Sequence, residues 1–235
     1  MVHLPLDRRS LMVGGLALAT TGCATARTPS ASNSQQWTFD RLSQIGGHAT
    51  RVEGQPRLVP SPYGQAVEFN GVDDALFIDN HPLAGAQQFT FEALFRPDGG
   101  AHAQRWFHLQ ETPPETGQED WPGTRFLFEI RVYDDKWCLD AFTKGPGYSQ
   151  VLIFPDRLYP LGQWAHVAQT YDGTHYRSYV NGELQGEALL NFVPQGIGAS
   201  SVGCRFNRVD YFKGAVRAAT FAHQALAPAQ FSLLP

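Results

Sequence analysis

The stretch "QWAHVAQTYDGTHYRSYVNGELQGE", residues 163–187, constrains the fold more than any other part of the chain. Side chains alternate in character along it, which is the period of a strand whose two faces meet different surroundings. Asp172-Gly173 and Asn181-Gly182 interrupt the alternation, and an Asn-Gly pair tolerates the positive φ angles that a two-residue hairpin demands. The segment therefore predicts three short strands folded around two tight turns.

The same rhythm runs through the rest of the chain. Strand signals recur roughly every 8–12 residues, the spacing of a sandwich or barrel. "QAVEFNG" turns Val67 and Phe69 inward, Asn70-Gly71 supplies a turn, and "DALFIDN" follows as its expected partner. "QFTFEALFRP" places Phe89, Phe91, Ala93 and Phe95 on one face, with Thr90, Glu92, Leu94 and Arg96 on the other. "RFLFEIRVY" buries Phe126, Phe128, Ile130 and Val132 and leaves Arg125, Glu129, Arg131 and Tyr133 on the reverse. In all, about a dozen strands are expected, with one helical turn in "LAPAQFSLL" near the C-terminus. The expectation is an all-β fold, a two-sheet antiparallel jelly-roll sandwich in one domain spanning residues 37–235.

Composition agrees. Apolar residues make up 43% of the 235 residues and charged residues only 17%, which permits a large core. Phe is abundant (16) and Met scarce (2), as suits sheet interiors. A formal charge of −4 without basic runs argues against nucleic acid as a partner.

Residues 1–23 read as an address. Arg8-Arg9 precedes an apolar, glycine-containing run over residues 11–19, too short to span a membrane. "RRSLM" resembles a bacterial twin-arginine export signal, which carries a folded protein across the inner membrane. Thr21-Gly22-Cys23 resembles a lipoprotein cleavage box with Cys23 as the acylated residue, although Thr20 stands where Leu is usual. The alternative is a plain cleaved signal ending near Ala24 or Ala26. Residues 24–36, rich in Ser, Thr and Ala, are expected to form a flexible tether. The expected location is the periplasm or outer membrane, with a membrane contact through the lipid on Cys23. Export would place Cys138 and Cys204 in an oxidising compartment. A disulfide between them is not expected, since Cys204 shares parity with the inward Val202 and Phe206, whereas Cys138 opposes Trp137, Leu139 and Ala141.

"AVEFNGVDDALFI", "FTFEALFRP", "LGQWAHVAQTYDGTHYRSYVNGE" and "YFKGAVRAATFAHQALAPAQF" occur in that order. Together they resemble the laminin-G-like members of the concanavalin A-like lectin and glucanase superfamily, over nearly all of the chain from Trp37 onward. The run Gly162-x-Trp164-x-His166-Val167-Ala168 is the most specific part, and Trp164 is expected to plug the space between two sheets. Leu94 stands where the family commonly has Trp. The resemblance implies a jelly roll that binds sugars or cuts them. It also implies calcium at a loop-rich edge, for which Asp40 and Asp74 are the acids nearest the family positions.

A retaining glycosidase needs two carboxylates about 5–5.5 Å apart. The Glu-x-Asp-x-(x)-Glu run that supplies them in related glucanases is absent here. Glu92 and Glu129 each stand apart from a second acid and are expected on solvated surface, where the alternative to chemistry for Glu129 is a pairing with its flanking arginines. A uronate lyase would use Glu129 with Arg125, Arg131 and Tyr133, which share one strand face. His166 is expected to be a hydrogen-bonded structural residue, and the other histidines show no zinc-ligand spacing.

For binding, the informative segment is "QETPPETGQEDWPGTR", residues 110–125. Trp121 sits there among Glu119, Asp120 and prolines, where an indole stacks on a sugar ring while carboxylates accept its hydroxyl hydrogens. Tyr148 is a weaker binding candidate. The expectation is a non-catalytic domain for a glycan or another cell-envelope ligand. A carbohydrate-active enzyme and a protein-interaction module are the alternatives.

Overall fold

The computed structural model describes Met1, residues 34–112 and residues 123–234. Two antiparallel sheets carry the fold among the described residues. The first contains β1 (Ser34–Thr38), β4 (Arg57–Ser61), β5 (Gly64–Asn70), β7 (Phe89–Pro97), β13 (Ala165–Tyr171), β14 (His175–Val180), β15 (Glu183–Leu189) and β17 (Lys213–Ala222). The second contains β2 (Gln44–Ile45), β3 (His48–Glu53), β6 (Ala75–Ile78), β8 (Ala103–Glu111), β9 (Arg125–Tyr133), β10 (Lys136–Gly145), β11 (Tyr148–Ile153), β12 (Tyr159–Pro160) and β16 (Gly198–Val202). The first sheet runs β15-β14-β13-β7-β17-β5-β4, with β1 also on β17. The second runs β11-β10-β9-β8-β16-β6-β3-β2, with β12 on β10.

The quoted meander is β13, β14 and β15, paired in sequence as expected. Asn181 (φ 49°) and Gly182 (φ 79°) both take the left-handed conformation of the tight turn. At the other turn the Asp172 carboxylate accepts the N–H groups of Thr174 and His175. A 3-10 turn over Pro228–Gln230 supplies the expected C-terminal helical turn.

Alternate residues of the facing strands fill the space between the sheets. Phe89, Phe91, Ala93 and Phe95 of β7 meet Phe126, Phe128 and Ile130 of β9 there, together with Trp37, Trp106 and Trp137. Phe95 stacks on Trp106 with ring centroids 4.2 Å apart and planes 7° from parallel. A polar bridge crosses this layer at Gln169. Gln169 Nε2 donates to the Leu127 carbonyl of the opposite sheet at 2.6 Å, and its Oε1 accepts from Tyr176 Oη at 2.7 Å.

Several expectations are corrected. Residues 34–36, expected in the tether, pair with β17. The turn at Asn70-Gly71 does not close a hairpin, because β5 and β6 belong to different sheets and the turn carries the chain between them. Asn70 Oδ1 holds that crossing by accepting the N–H groups of Val72, Asp73 and Asp74. Trp164 does not plug the space between the sheets. It shares parity with His166 and packs on the outer face of the first sheet with Leu94, Ala218 and Leu233. Cys204 is buried, but Gly203 (φ 95°) breaks the strand parity after Val202. The thiol therefore joins Ala75, Phe77 and Phe206 in a small cluster outside the main core. Cys138 and Cys204 are both free and buried.

Candidate functional site

The outer face of the second sheet carries the candidate site. Pairing brings β3, β6, β16 and β8 side by side, with Thr50 and Ser200 both opposite Ile78, and Ala199 opposite Gln110. Ala49, Arg51, Phe77, Asp79, Thr112, Ala199 and Phe206 line a groove of about 610 Å³ over these strands. That volume lies within the range of small-molecule sites. Phe77 and Phe206 form its apolar floor with ring centroids 6.0 Å apart. The guanidinium groups of Arg51 and Arg208 lie over Phe77 at 4.6 and 4.9 Å, and Glu53 pairs with both arginines. Phe77 and Phe206 are only 5% and 2% exposed, so the arginine side chains rather than the ring faces meet the solvent there.

Thr112 lines the groove at the point where the polar segment of residues 110–125 leaves β8. Trp121, Glu119 and Asp120 in that segment, like Cys23, lie outside the described residues. Tyr148, offered as a ligand-stacking residue, is instead buried in the core. Its hydroxyl meets Gln195 Nε2 and the Val193 carbonyl at 3.3 Å, and burial pushes its pKa up to about 12.

On the same face, β8, β9 and β10 place Arg105, Glu129 and Asp140 in one cross-strand row. Glu129 Oε2 accepts from Arg131 Nη1 and Nη2 and lies by Arg105 Nε, each at 3.1 Å. Arg131 Nη2 reaches Asp140 Oδ2 at 2.5 Å, and Arg105 also pairs with Asp210. Burial, then the Glu129 charge, push the Asp140 carboxyl up to about 6. Glu129 thus pairs with a flanking arginine, Arg131, as the sequence allowed, but it is buried rather than solvated, which corrects that part of the reading. It has a carboxylate neighbour on the next strand that no search within one strand could find. The side chains of Glu129 and Asp140 are only 6% and 5% exposed, so the pair forms a closed ionic row. Of the residues of the enzyme alternative, Glu129 and Arg131 are in contact. Arg125 and Tyr133 stand at opposite ends of β9, roughly 26 Å apart at the rise of an extended strand. Tyr133 packs edge-on against His102 there.

Glu92, also expected on solvated surface, is buried against His166 on the outer face of the first sheet. The C-terminal segment covers it there, with Ser232 and Leu233 donating backbone N–H groups to its carboxylate.

Asp40 and Asp74, the acids expected at a calcium site, do not come together. Asp74 is buried, and its two oxygens accept the backbone N–H groups of Gln55 at 2.6 Å and Asn70 at 2.9 Å. Asp40 pairs with Arg41 at 3.0 Å, and that hydrogen bond lowers its pKa. The two acids line separate cavities. Among the described residues no group of three or more His, Cys, Asp and Glu side chains could hold a metal ion.

Comparison with known proteins bears on the fold and its family. The laminin G-like profile of the Concanavalin A-like lectin/glucanases superfamily matches residues 70–232. No curated protein matches the chain. Domain 4 of AbnA, a GH43 extracellular arabinanase from Geobacillus stearothermophilus solved in complex with arabinotriose, superimposes with a TM-score of 0.61 at 18% identity, covering 83% of this chain and 94% of that one. The binding domain of Paraclostridial Mosquitocidal Protein 1 gives 0.60 at 12% identity, over 84% and 50% of the two chains. The NanB sialidase from Streptococcus pneumoniae gives 0.53 at 17%, over 66% and 24%. This chain therefore spans half or less of the last two proteins. At these identities the likeness is one of fold.

Proposed function

Because the chain belongs to the Concanavalin A-like lectin/glucanases superfamily, we propose that it is a non-catalytic domain that binds a glycan of the cell envelope or its surroundings. The observation that carries this reading is the groove of about 610 Å³ with Phe77 and Phe206 in its floor and Arg51, Asp79 and Thr112 at its rim. A similar fold in the arabinanase was solved with an arabinose trimer, which supports a saccharide as the ligand class. Closure of the Glu129–Asp140 row by Arg131 favours binding over bond cleavage. Export by the Arg8-Arg9 signal and acylation of Cys23 complete the reading, and they put the groove on the periplasmic or outer-membrane side of the cell.

Purified protein incubated with a polysaccharide panel tests it, read for retention and for released products. Retention on at least one glycan without new reducing ends or unsaturated products is expected. Ala199→Trp fills the groove and abolishes that retention. Retention untouched by Ala199→Trp, or a protein co-purifying where no glycan binds, overturns the reading. Labelled palmitate should enter the chain in cells and be lost in Cys23→Ala; unchanged labelling overturns the lipid anchor.

A further inference from the structure

Arg217 sits where β17 breaks its register against β7. Val216 lies opposite Phe95 and Ala218 opposite Leu94, so Arg217 is an extra residue inserted between two consecutive pairs. Such a bulge re-aims a side chain out of the regular alternation. Here the guanidinium is fastened to the turn between β4 and β5. Its Nε donates to the Tyr63 carbonyl at 2.6 Å, and Nη2 lies 3.1 Å from where a side chain on Gly64 would begin. Nη1 is buried and has no acceptor among the described residues. Other arginines of the same sheet are neutralised: Arg57 by Glu68, Arg96 by Asp98 and Arg177 by Asp172. Arg217 instead bonds only a neutral carbonyl among the described residues. A buried donor of a charged group is costly to leave without an acceptor, so this one points to an acceptor supplied from outside the chain.

The surroundings define what that acceptor is. Arg217 lines a cavity of about 210 Å³ on the outer face of the first sheet, beside the C-terminal segment. That is smaller than the roughly 300–1,000 Å³ of drug-sized sites, so it takes a group of a few heavy atoms rather than a length of polymer. Leu94 and Leu233 give it apolar lining, and Thr38 and Ser232 add hydroxyls. Tyr63, set edge-on against Trp164 with ring centroids 6.1 Å apart, also lines it. None of the described residues lining the cavity is acidic. Glu92, which accepts the Ser232 and Leu233 N–H groups, is itself matched by His166. A guanidinium held in one orientation, without a counter-charge and beside aliphatic side chains, matches a carboxylate carried on a short aliphatic group.

We propose that this cavity binds a small aliphatic carboxylic acid, free or as the C-terminal residue of a peptide, with Arg217 taking the carboxylate and Leu94 and Leu233 the carbon chain. The site lies on the other sheet from the groove and stands independently of the glycan reading. Because the Tyr63 carbonyl already fixes Nε, the guanidinium loses little freedom when the acid arrives.

Titration calorimetry on the purified protein compares isovalerate with isovaleramide and N-acetyl-leucine with its amide, and adds inorganic phosphate as a further anion. At least one acid is expected to bind with a Kd of about 1 mM, about tenfold more tightly than its amide and than phosphate. Tighter isovalerate assigns a free acid, and tighter N-acetyl-leucine assigns a peptide C-terminus. Arg217→Gln removes the charge and lowers the acid affinity about tenfold. Thr38→Trp, at a partly exposed position of β1, obstructs the cavity and lowers it as much. Thr38→Trp keeps the test decisive if melting shows that Arg217→Gln, which gives up the Tyr63 bond, is unfolded. Ala199→Trp, in the groove, leaves acid binding unchanged, so failure of this site and failure of the glycan reading are told apart. Equal binding of acid and amide, phosphate bound as tightly as the acids, acid binding indifferent to Arg217→Gln or Thr38→Trp, or no binding of either acid at millimolar concentration overturns the proposal.

Discussion

Glu92 and His166 hold one another at 3.0 Å on the outer face of the first sheet, with both side chains fully buried. They lie on the adjacent strands β7 and β13 of one sheet, diagonal to one another and two positions off direct pairing, since His166 lies opposite Leu94 and Glu92 opposite Ala168. The carboxylate also accepts the Ser232 N–H at 3.3 Å, the Ser232 hydroxyl at 3.4 Å and the Leu233 N–H at 3.2 Å. Phe231 of the same segment packs over His166 and Tyr179. The acid is thus a fastener between the sheet and the C-terminal segment.

Removing one partner leaves the other buried without its match. Glu92→Ala should therefore cost about 3–5 kcal/mol, read as a lowered urea midpoint. The C-terminal segment should become sensitive to protease in the same variant. The double change Glu92→Leu with His166→Leu should cost clearly less than the two single changes summed, because it leaves no stranded polar group. Additive losses would show that the contact does not couple the two residues.

The polar bridge between the sheets gives a second expectation. Tyr176 donates to Gln169 Oε1, and Gln169 Nε2 donates to the Leu127 carbonyl. Tyr176→Phe leaves a buried amide oxygen without its donor, at a cost of about 1–3 kcal/mol. Gln169→Leu strands both the Leu127 carbonyl and the Tyr176 hydroxyl and should cost more. Denaturant unfolding of both variants checks the order, and a milder effect for Gln169→Leu would refute it.

The thiols should be inert in the folded protein. Burial raises Cys138 to about 11 and Cys204 to about 12, so neither supplies thiolate at neutral pH. In a Cys23→Ala background the native protein should give almost no reaction with a disulfide reagent such as DTNB. Two thiols should react once concentrated guanidinium unfolds it. Addition of a reductant should leave the melting temperature unchanged, and a fall would reveal a bond between these cysteines.

The two-sheet architecture and the meander of β13 to β15 are legible in the sequence because a half-buried strand writes its period into the residue order. The first four strands are not. β3 and β4 are largely exposed, and Val52 and Leu58 at 40% and 44% exposure break any apolar alternation there. Glu129 looked solitary because its carboxylate neighbour, Asp140, is opposite it on the next strand and eleven positions away in sequence order only through a turn. The groove is less legible still. Its lining gathers outward positions from residues 49–51, 77–79, 112, 199 and 206, each unremarkable among its sequence neighbours. His108 stood as one of several scattered histidines, since its bond to Phe206 spans 98 positions.

Stability against pH should carry opposing contributions whose signs follow from burial. Asp140 is raised from 3.8 to about 6, so between those values the folded state binds more protons than the unfolded state. Its contribution makes stability fall as pH rises from about 4 to 6. His81 is lowered from 6.5 to about 4 by burial, so over nearly the same window the unfolded state binds the extra proton. Its contribution makes stability rise with pH, and His108, also lowered, acts in the same direction. The two histidines should outweigh the one carboxyl, giving a gentle net rise toward neutral pH. Asp140→Asn removes the opposing slope, so its urea midpoint should climb more steeply with pH than that of the wild type. His81→Gln should flatten the profile instead. Below pH 4 both variants should lose stability together with the wild type, because Asp172, lowered to about 2 by its backbone hydrogen bonds to the turn and by Arg177, becomes protonated there. Urea titrations at several pH values across this range check the slopes, and an unchanged slope in Asp140→Asn would place the titrating carboxyl elsewhere.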